Sequence, residues 1–186
     1  MLIETNIIVA TDNDGLIGIA DRLPWSCKED MKFFRETTMN NAVIMGRNTA
    51  LSLPDRKPLK NRTNIVITRA SVEDFHPDFH VVRSLEEAKH IAVHSGHERL
   101  FIIGGAQLYA AAGEQDFDNL YLSHIPGHWR TTAAQGEQEY YFPFQSYGLP
   151  PHLFKTGTPA FSLLEGYTVK RLVDRQACTI YGLQRE

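Results

Sequence analysis

Apolar residues fall in short runs separated by glycine, proline, asparagine and aspartate. The run at 6–11 ends in Thr11-Asp12-Asn13-Asp14-Gly15, which predicts a buried strand leading into a polar loop over 12–23. Similar runs at 42–45, 63–68, 79–82, 100–103 and 119–125 predict five more strands. Helix signals stand between them. Ser26 with Glu29, and Ser84 with Glu87, are spaced as capping boxes, the second opening a helix to about residue 94. A short helix should follow Gly46, and another should span 106–112 with Gly113 as its terminator. This alternation implies a largely parallel sheet covered on both faces, so the fold class is α/β. Beyond 126 the chain turns irregular, with short strands expected near 139–142 and at 161–164. The runs 167–173 and 178–183, split by Asp174-Arg175-Gln176-Ala177, read as a hairpin adding antiparallel strands to the sheet edge.

Length and composition narrow the class. A chain of 186 residues is expected to form a single domain over 1–186 with a substantial core. With 42% apolar residues, 22% charged residues and a net charge of −3, no general nucleic-acid surface is expected, and anionic ligands need local positive clusters. Cys27 and Cys178 are too few for a disulfide framework and fit a reducing cytosol. No basic segment precedes a long apolar one at the N-terminus and no stretch approaches a membrane span, so neither export nor insertion is expected and the location is read as cytoplasmic; a monomer without a metal or membrane partner is the accompanying expectation.

In open α/β sheets ligands bind beyond the carboxyl ends of the strands, which directs attention to the residues there. Gly104-Gly105 follows a strand and opens a helix, so a phosphate could approach the backbone amides; a tight turn required by packing reads equally well. The pair lacks the Gly-x-Gly-x-x-Gly spacing of a dinucleotide fingerprint. Gly46-Arg47-Asn48-Thr49 repeats the strand–glycine–helix arrangement with a permanent charge. If its strand lies beside the one ending in Thr68-Arg69, two guanidinium groups and a hydroxyl converge on a further phosphate, as a ribose 2′-phosphate would require. Asp30 and Phe34 are spaced i, i+4 on one helical face, with Met31 near it and Trp25 just before the helix. A carboxylate so placed is either desolvated in a pocket or a solvated first-turn acid favouring the helix dipole.

As a set, Ile17-Gly18, Leu23-Pro24-Trp25, Asp30 with Phe34, the stretch from Val43 to Thr49, that from Ile102 to Tyr109 and that from Leu120 to Ile125 closely resemble the dihydrofolate reductase family, in order from about residue 7 to 125 and weakly again in the last hairpin. The resemblance implies a mostly parallel sheet of about eight strands, an antiparallel C-terminal hairpin and about four flanking helices. It also implies NADPH-dependent reduction of 7,8-dihydrofolate to tetrahydrofolate in support of one-carbon and thymidylate metabolism, with antifolates such as methotrexate as ligands. By that resemblance Asp30 binds the pterin's 2-amino and ring N–H groups, and Ser123, where the family usually has threonine, supports it. Ile8, Ala10 and Ile103 adjoin the pterin, while Phe34, Leu53 and Leu59 form an apolar wall and Arg62 meets the folate α-carboxylate. Gly46, Asn48, Thr49, Gly104, Gly105, Ala106, Gln107 and Leu108 fall to the pyrophosphate side of NADPH, and Arg47, Thr68 and Arg69 to its adenosine end. Ile17 falls in the loop over the nicotinamide and Tyr109 near its ring, with Ala10, Gly18 and Ile103 as further cofactor-binding positions. Leu23 and Trp25 belong to the catalytic loop, where Leu23 admits the water that protonates N5.

The chain also departs from that pattern. The family's Gly-Asp-Thr before a Phe-Pro is replaced by Glu137-Gln138-Glu139-Tyr140-Tyr141, with Glu139 as the expected substitute for the aspartate that ties the active-site loop, and 147–159 reads as an added loop. A pyrimidine reductase of riboflavin synthesis and a non-catalytic nucleotide-binding protein are the rival readings.

Overall fold

The computed structural model describes residues 3–115, 117–151, 153, 154, 161 and 164–186. Its elements are β1 (Glu4–Thr11), β2 (Leu16–Ile19), α1 (Lys28–Thr38), β3 (Ala42–Gly46), α2 (Arg47–Ser52), β4 (Thr63–Ile67), β5 (His80–Val82), α3 (Leu85–His94), β6 (Arg99–Ile102), α4 (Ala106–Gly113), β7 (Asn119–His124), β8 (Glu139–Tyr141), β9 (Tyr167–Asp174) and β10 (Thr179–Arg185). Eight strands form one sheet in the order β5-β4-β3-β6-β1-β7-β10-β9. Pairing is parallel from β5 to β7 and antiparallel at β10 and β9, as the expected α/β class with a C-terminal hairpin requires.

Side chains alternate along a strand, so a strand buried on both faces must be apolar throughout. Ala42, Val43, Ile44 and Met45 of β3 are all fully buried. Ala42 and Ile44 face the cluster that also holds Ile7, Val9, Leu100, Ile102, Leu120 and Leu122. Val43 and Met45 face the other, with Ile8 and Phe101. Ala88 of α3 and Tyr109 and Ala112 of α4 cover the first face. Phe33 and Phe34 of α1 and Ala50 of α2 cover the second. The helix carrying Asp30 thus lies on the same side of the sheet as the one that follows Gly46. Among the described residues no helix is long and apolar enough to cross a membrane.

Some local expectations are corrected. Helix α1 starts one residue later than a Ser26 cap requires: Cys27 is its N-cap, with no side-chain cap bond, and Ser26 is exposed. At α3 the cap forms as expected, Ser84 Oγ accepting from Glu87 N at 3.1 Å, but the Glu87 carboxylate accepts from Arg83 N rather than from Ser84. The stretch 12–23 is not all loop, because β2 forms there and pairs antiparallel with β8. Its sequence, Leu16-Ile17-Gly18-Ile19, is too short and too glycine-broken to announce a strand without its partner. Of the strand expected at 161–164, residues 162 and 163 lie outside the described residues, while Phe161 and Leu164 are not in a strand.

Gly113 is the last residue of α4, as expected of its end, but it keeps helical geometry, and Glu114 rather than a left-handed glycine is the C-cap. Its lack of a side chain serves packing instead: a Cβ there would stand 2.8 Å from Tyr147 Cε2 and 2.9 Å from the Ser146 carbonyl oxygen. Gly113→Ala adds helix propensity of about 1 kcal/mol but forces these atoms apart, an overpacking that costs about 1–3 kcal/mol. A lower urea midpoint at unchanged slope is therefore expected, and a midpoint equal to or above that of the unaltered protein would show that the turn yields freely.

Candidate active site

Asp30 sits in the first turn of α1 and is 9% exposed. Burial raises its carboxyl above the ordinary aspartate range, and the Ser123 hydroxyl against it pulls the other way. Ser123 is paired in register with Ala10, so the carboxyl lies over the carboxyl ends of β1 and β7. No lysine, arginine or histidine among the described residues forms a salt bridge with it. Trp25 is buried, packs with Cys27 and Ile125, and meets Trp129 edge-on at 6.3 Å. The Trp25 indole N–H and the Thr11 hydroxyl are buried without a hydrogen-bond partner among the described residues. Tyr109 donates from its hydroxyl to the Ile8 carbonyl at 2.8 Å, and burial holds its phenol well above the usual range.

An apolar wall extends from this carboxyl. Ile8, Phe34, Leu53, Leu59 and Ile103 all belong to the second cluster, with Phe33 and Tyr121. Leu23 and Met31 remain exposed, at 49% and 55%. Arg62 marks the far end: its guanidinium donates to Thr38 Oγ1 at 2.8 Å, to the Arg35 carbonyl at 3.0 Å and to the Lys60 carbonyl at 2.7 Å. Burial and the neighbouring Arg35 charge lower its pKa, a position that an anion would relieve. Buried Asn64, which sequence reasoning missed, holds this rim, accepting from Leu59 N at 2.9 Å and donating to the Leu59 and Arg62 carbonyls at 2.8 and 3.0 Å.

The glycines meet at the ends of the neighbouring strands β3 and β6. Gly46 N donates to the Gly104 carbonyl at 2.8 Å, and the Gly104–Gly105 peptide is cis. A Cβ on Gly105 would lie 3.4 Å from Thr49 Oγ1, and one on Gly46 would lie 3.7 Å from Gly105 N. At this point the two strand ends therefore meet backbone to backbone. Ala106 and Gln107 open α4 beside it, whereas the Leu108 side chain packs on the first core cluster. Arg47, Asn48 and Arg69 are exposed, and Gly46 and Ile67 are register partners, which places Arg47 and Thr68 side by side as the adjacency condition required. Ile67 in turn pairs with Val82, which adds Arg83, a third strand-end arginine. Arg83 donates to the Thr68 carbonyl and, at 2.7 Å, to that of Ala70. Its position directly after an apolar run was the available signal.

The loop holding Ile17, Gly18 and Leu23 is tied to the segment after β7. Asp12 accepts from Trp129 N at 2.9 Å, Asn13 Oδ1 meets His124 Nε2 at 2.7 Å, and Asp14 meets His128 at 2.7 Å. Arg22 pairs with both carboxylate oxygens of Glu137, at 2.7 and 2.9 Å. That contact pulls the Glu137 carboxyl down to about 2. The expected substitute, Glu139, instead meets Arg130 at 4.0 Å and accepts from Tyr141 at 2.5 Å, so the tie runs through Glu137. Among the described residues no group of three or more histidine, cysteine, aspartate or glutamate side chains is arranged to hold a metal ion.

Comparison with known proteins agrees with this geometry. Residues 4–143 match the model of the dihydrofolate reductase family. A dihydrofolate reductase of Bacillus subtilis is 40% identical over 120 residues, covering 64% of this chain and 68% of the relative. One of Schistosoma mansoni is 38% identical over 134 residues, covering 64% of this chain and 71% of the relative. With three quarters of its length inside the family model, over the strands and loops that build the site, the chain belongs to the dihydrofolate reductase family of oxidoreductases, which reduce dihydrofolate to tetrahydrofolate.

Proposed function

We propose that this chain reduces 7,8-dihydrofolate to 5,6,7,8-tetrahydrofolate with NADPH as reductant. Asp30 carries the reading: a buried carboxyl, with no cationic partner among the described residues, is a costly feature that a planar ligand offering two N–H donors would satisfy. In this role Asp30 accepts from the pterin's 2-amino and ring N–H groups. As an anion it favours protonation at N5 without donating the proton itself. Trp25 offers a buried N–H without a partner among the described residues, and exposed Leu23 controls the access of water to N5. Phe34, Leu53 and Leu59 exclude water from the rings, and Arg62 takes the α-carboxylate in a bidentate pair.

NADPH fits the residues present, because the meeting of Gly46, Gly104 and Gly105 leaves a cradle that a Cβ would narrow. When bound, it supplies the hydride added at C6. Gly46, Thr49, Gly104, Gly105, Ala106 and Gln107 hold its pyrophosphate, with Asn48 and the Leu108 backbone beside them. Arg47, Thr68 and Arg69, joined by Arg83, hold the 2′-phosphate. Ala10, Ile17, Gly18, Ile103 and Tyr109 surround the nicotinamide, and the loop over it excludes water.

The decisive assay is NADPH oxidation by the purified protein with and without dihydrofolate, and with methotrexate added. Dihydrofolate-dependent oxidation blocked by methotrexate is expected; none at any concentration would overturn the reading. Asp30→Asn is expected to lose about 100-fold or more in turnover near neutral pH, with NADPH affinity largely unchanged. The stability sign is opposite. Because burial raises the folded pKa, ionising Asp30 costs stability as pH rises from the ordinary aspartate range through the folded pKa. The asparagine variant should therefore melt higher than the unaltered protein at pH 7, with the gap closing in acid; a lower melting temperature at pH 7 would show the carboxylate to be satisfied.

Arg83→Gln should weaken NADPH but not NADH, by about tenfold on the scale of a hydrogen bond to a charged group. An equal loss with both would remove Arg83 from the 2′-phosphate. For Glu137 the folded pKa is depressed, so its pairing with Arg22 is complete above the ordinary carboxylate range and is lost as pH falls through about 2. Carbon NMR should place its titration near that value, and Arg22→Gln should return it to the ordinary range.

A further inference from the structure

The added segment after β8 lies almost wholly outside the family match at 4–143, and the site described above makes no use of it. Three of its apolar side chains are nevertheless buried, Leu149 at 3%, Leu153 at 7% and Phe154 at 1% exposed, while Gly148, Pro150 and Pro151 are exposed. The Phe154 ring lies flat on the His124 imidazole, with centroids 4.3 Å apart and planes 5° from parallel. His124 is the last residue of β7, beside Ser123, and its Nε2 meets Asn13 Oδ1 at 2.7 Å. Gly127 N donates to that same oxygen at 3.3 Å, which makes it an acceptor and requires the hydrogen to sit on Nε2. A histidine ring is broad in its second torsion, and a flat aromatic face against it removes that freedom. Asn13 opens the loop that carries Ile17, Gly18 and Leu23, and its own N–H donates to the Gly127 carbonyl at 3.1 Å.

We propose that Phe154 is a positioning residue for the reaction: by fixing the His124 ring it holds the Nε2–H on Asn13 and so anchors the start of the loop over the nicotinamide. This rests on the assignment of that loop under the proposed function. The added segment thereby acts as a buttress to the active-site loop, through His124.

Two readouts test it, one of them independent of catalysis. Phe154→Leu keeps an apolar side chain but loses the flat face, and Asn13→Ala removes the acceptor at the loop. Hydrogen exchange of the amides at 12–23 should quicken in both variants, while that of β4 stays as in the unaltered protein. In single turnovers each variant should slow hydride transfer about three- to tenfold, the scale of one net hydrogen bond, with the KM for dihydrofolate held. The double variant should be no slower than the slower single variant. Unchanged exchange at 12–23, or losses that multiply in the double variant, would overturn the proposal. Should Phe154→Leu fail to fold, Phe154→Met, which also lacks the flat face, takes its place with the same outcomes. Failure of the functional reading would look different, as an absence of dihydrofolate-dependent oxidation in the unaltered protein with the exchange result intact.

Discussion

The structure depends on burying both faces of the central strands. Because β1, β3 and β6 present apolar side chains alternately to two clusters, each face must be covered by helices, and each strand must deliver its polar turn beyond the same sheet edge. That edge is where Gly46, Gly104, Ala10 and Ser123 come together, from segments far apart in the chain. The site is thus a by-product of the sheet: parallel register brings the chemistry-bearing residues to one line, and α1 on the second face lowers Asp30 into it.

Much of this was legible in the residues. Unbroken apolar runs such as Ala42 to Met45 can only be strands buried on both sides, and their ends marked Gly46, Thr68 and Gly104 as places to look. The pairing order of the strands was not legible, and it is what converts three separate arginines into neighbours. Arg83 follows only a short apolar run, and nothing in one sequence says that its strand lies beside that of Thr68. Asp30 was ambiguous for a similar reason, since a first-turn acid is ordinary and only tertiary burial distinguishes it.

The errors follow a pattern. Ser26 reads as a better cap than Cys27, yet the helix begins where the buried thiol packs against Ile125, Cys178 and Ile180, and tertiary packing outweighs a cap worth about 1 kcal/mol. Gly113 does end α4, but what requires a glycine there is the ring of Tyr147 packed against it, not a left-handed turn. Strand β2 exists only because β8 pairs with it, a contact of large sequence separation that no local window contains. Likewise Glu137 and Glu139 are indistinguishable in the sequence, and the turn at 134–137 decides which of them reaches Arg22.

The ties between the active-site loop and the segment after β7 are of two kinds. Asn13 and Asp12 use neutral or backbone donors in part-buried positions, whereas Arg22 with Glu137 is a partly exposed ion pair. Dissolved ions act on the second kind alone, screening it over a Debye length of about 8 Å at physiological ionic strength. The far end of the loop, at Arg22, is therefore fastened by a contact whose strength the surrounding electrolyte sets, while its root at Asn13 is not. Under the proposed function, the medium in which the protein works thus sets how firmly the cover over the nicotinamide shuts.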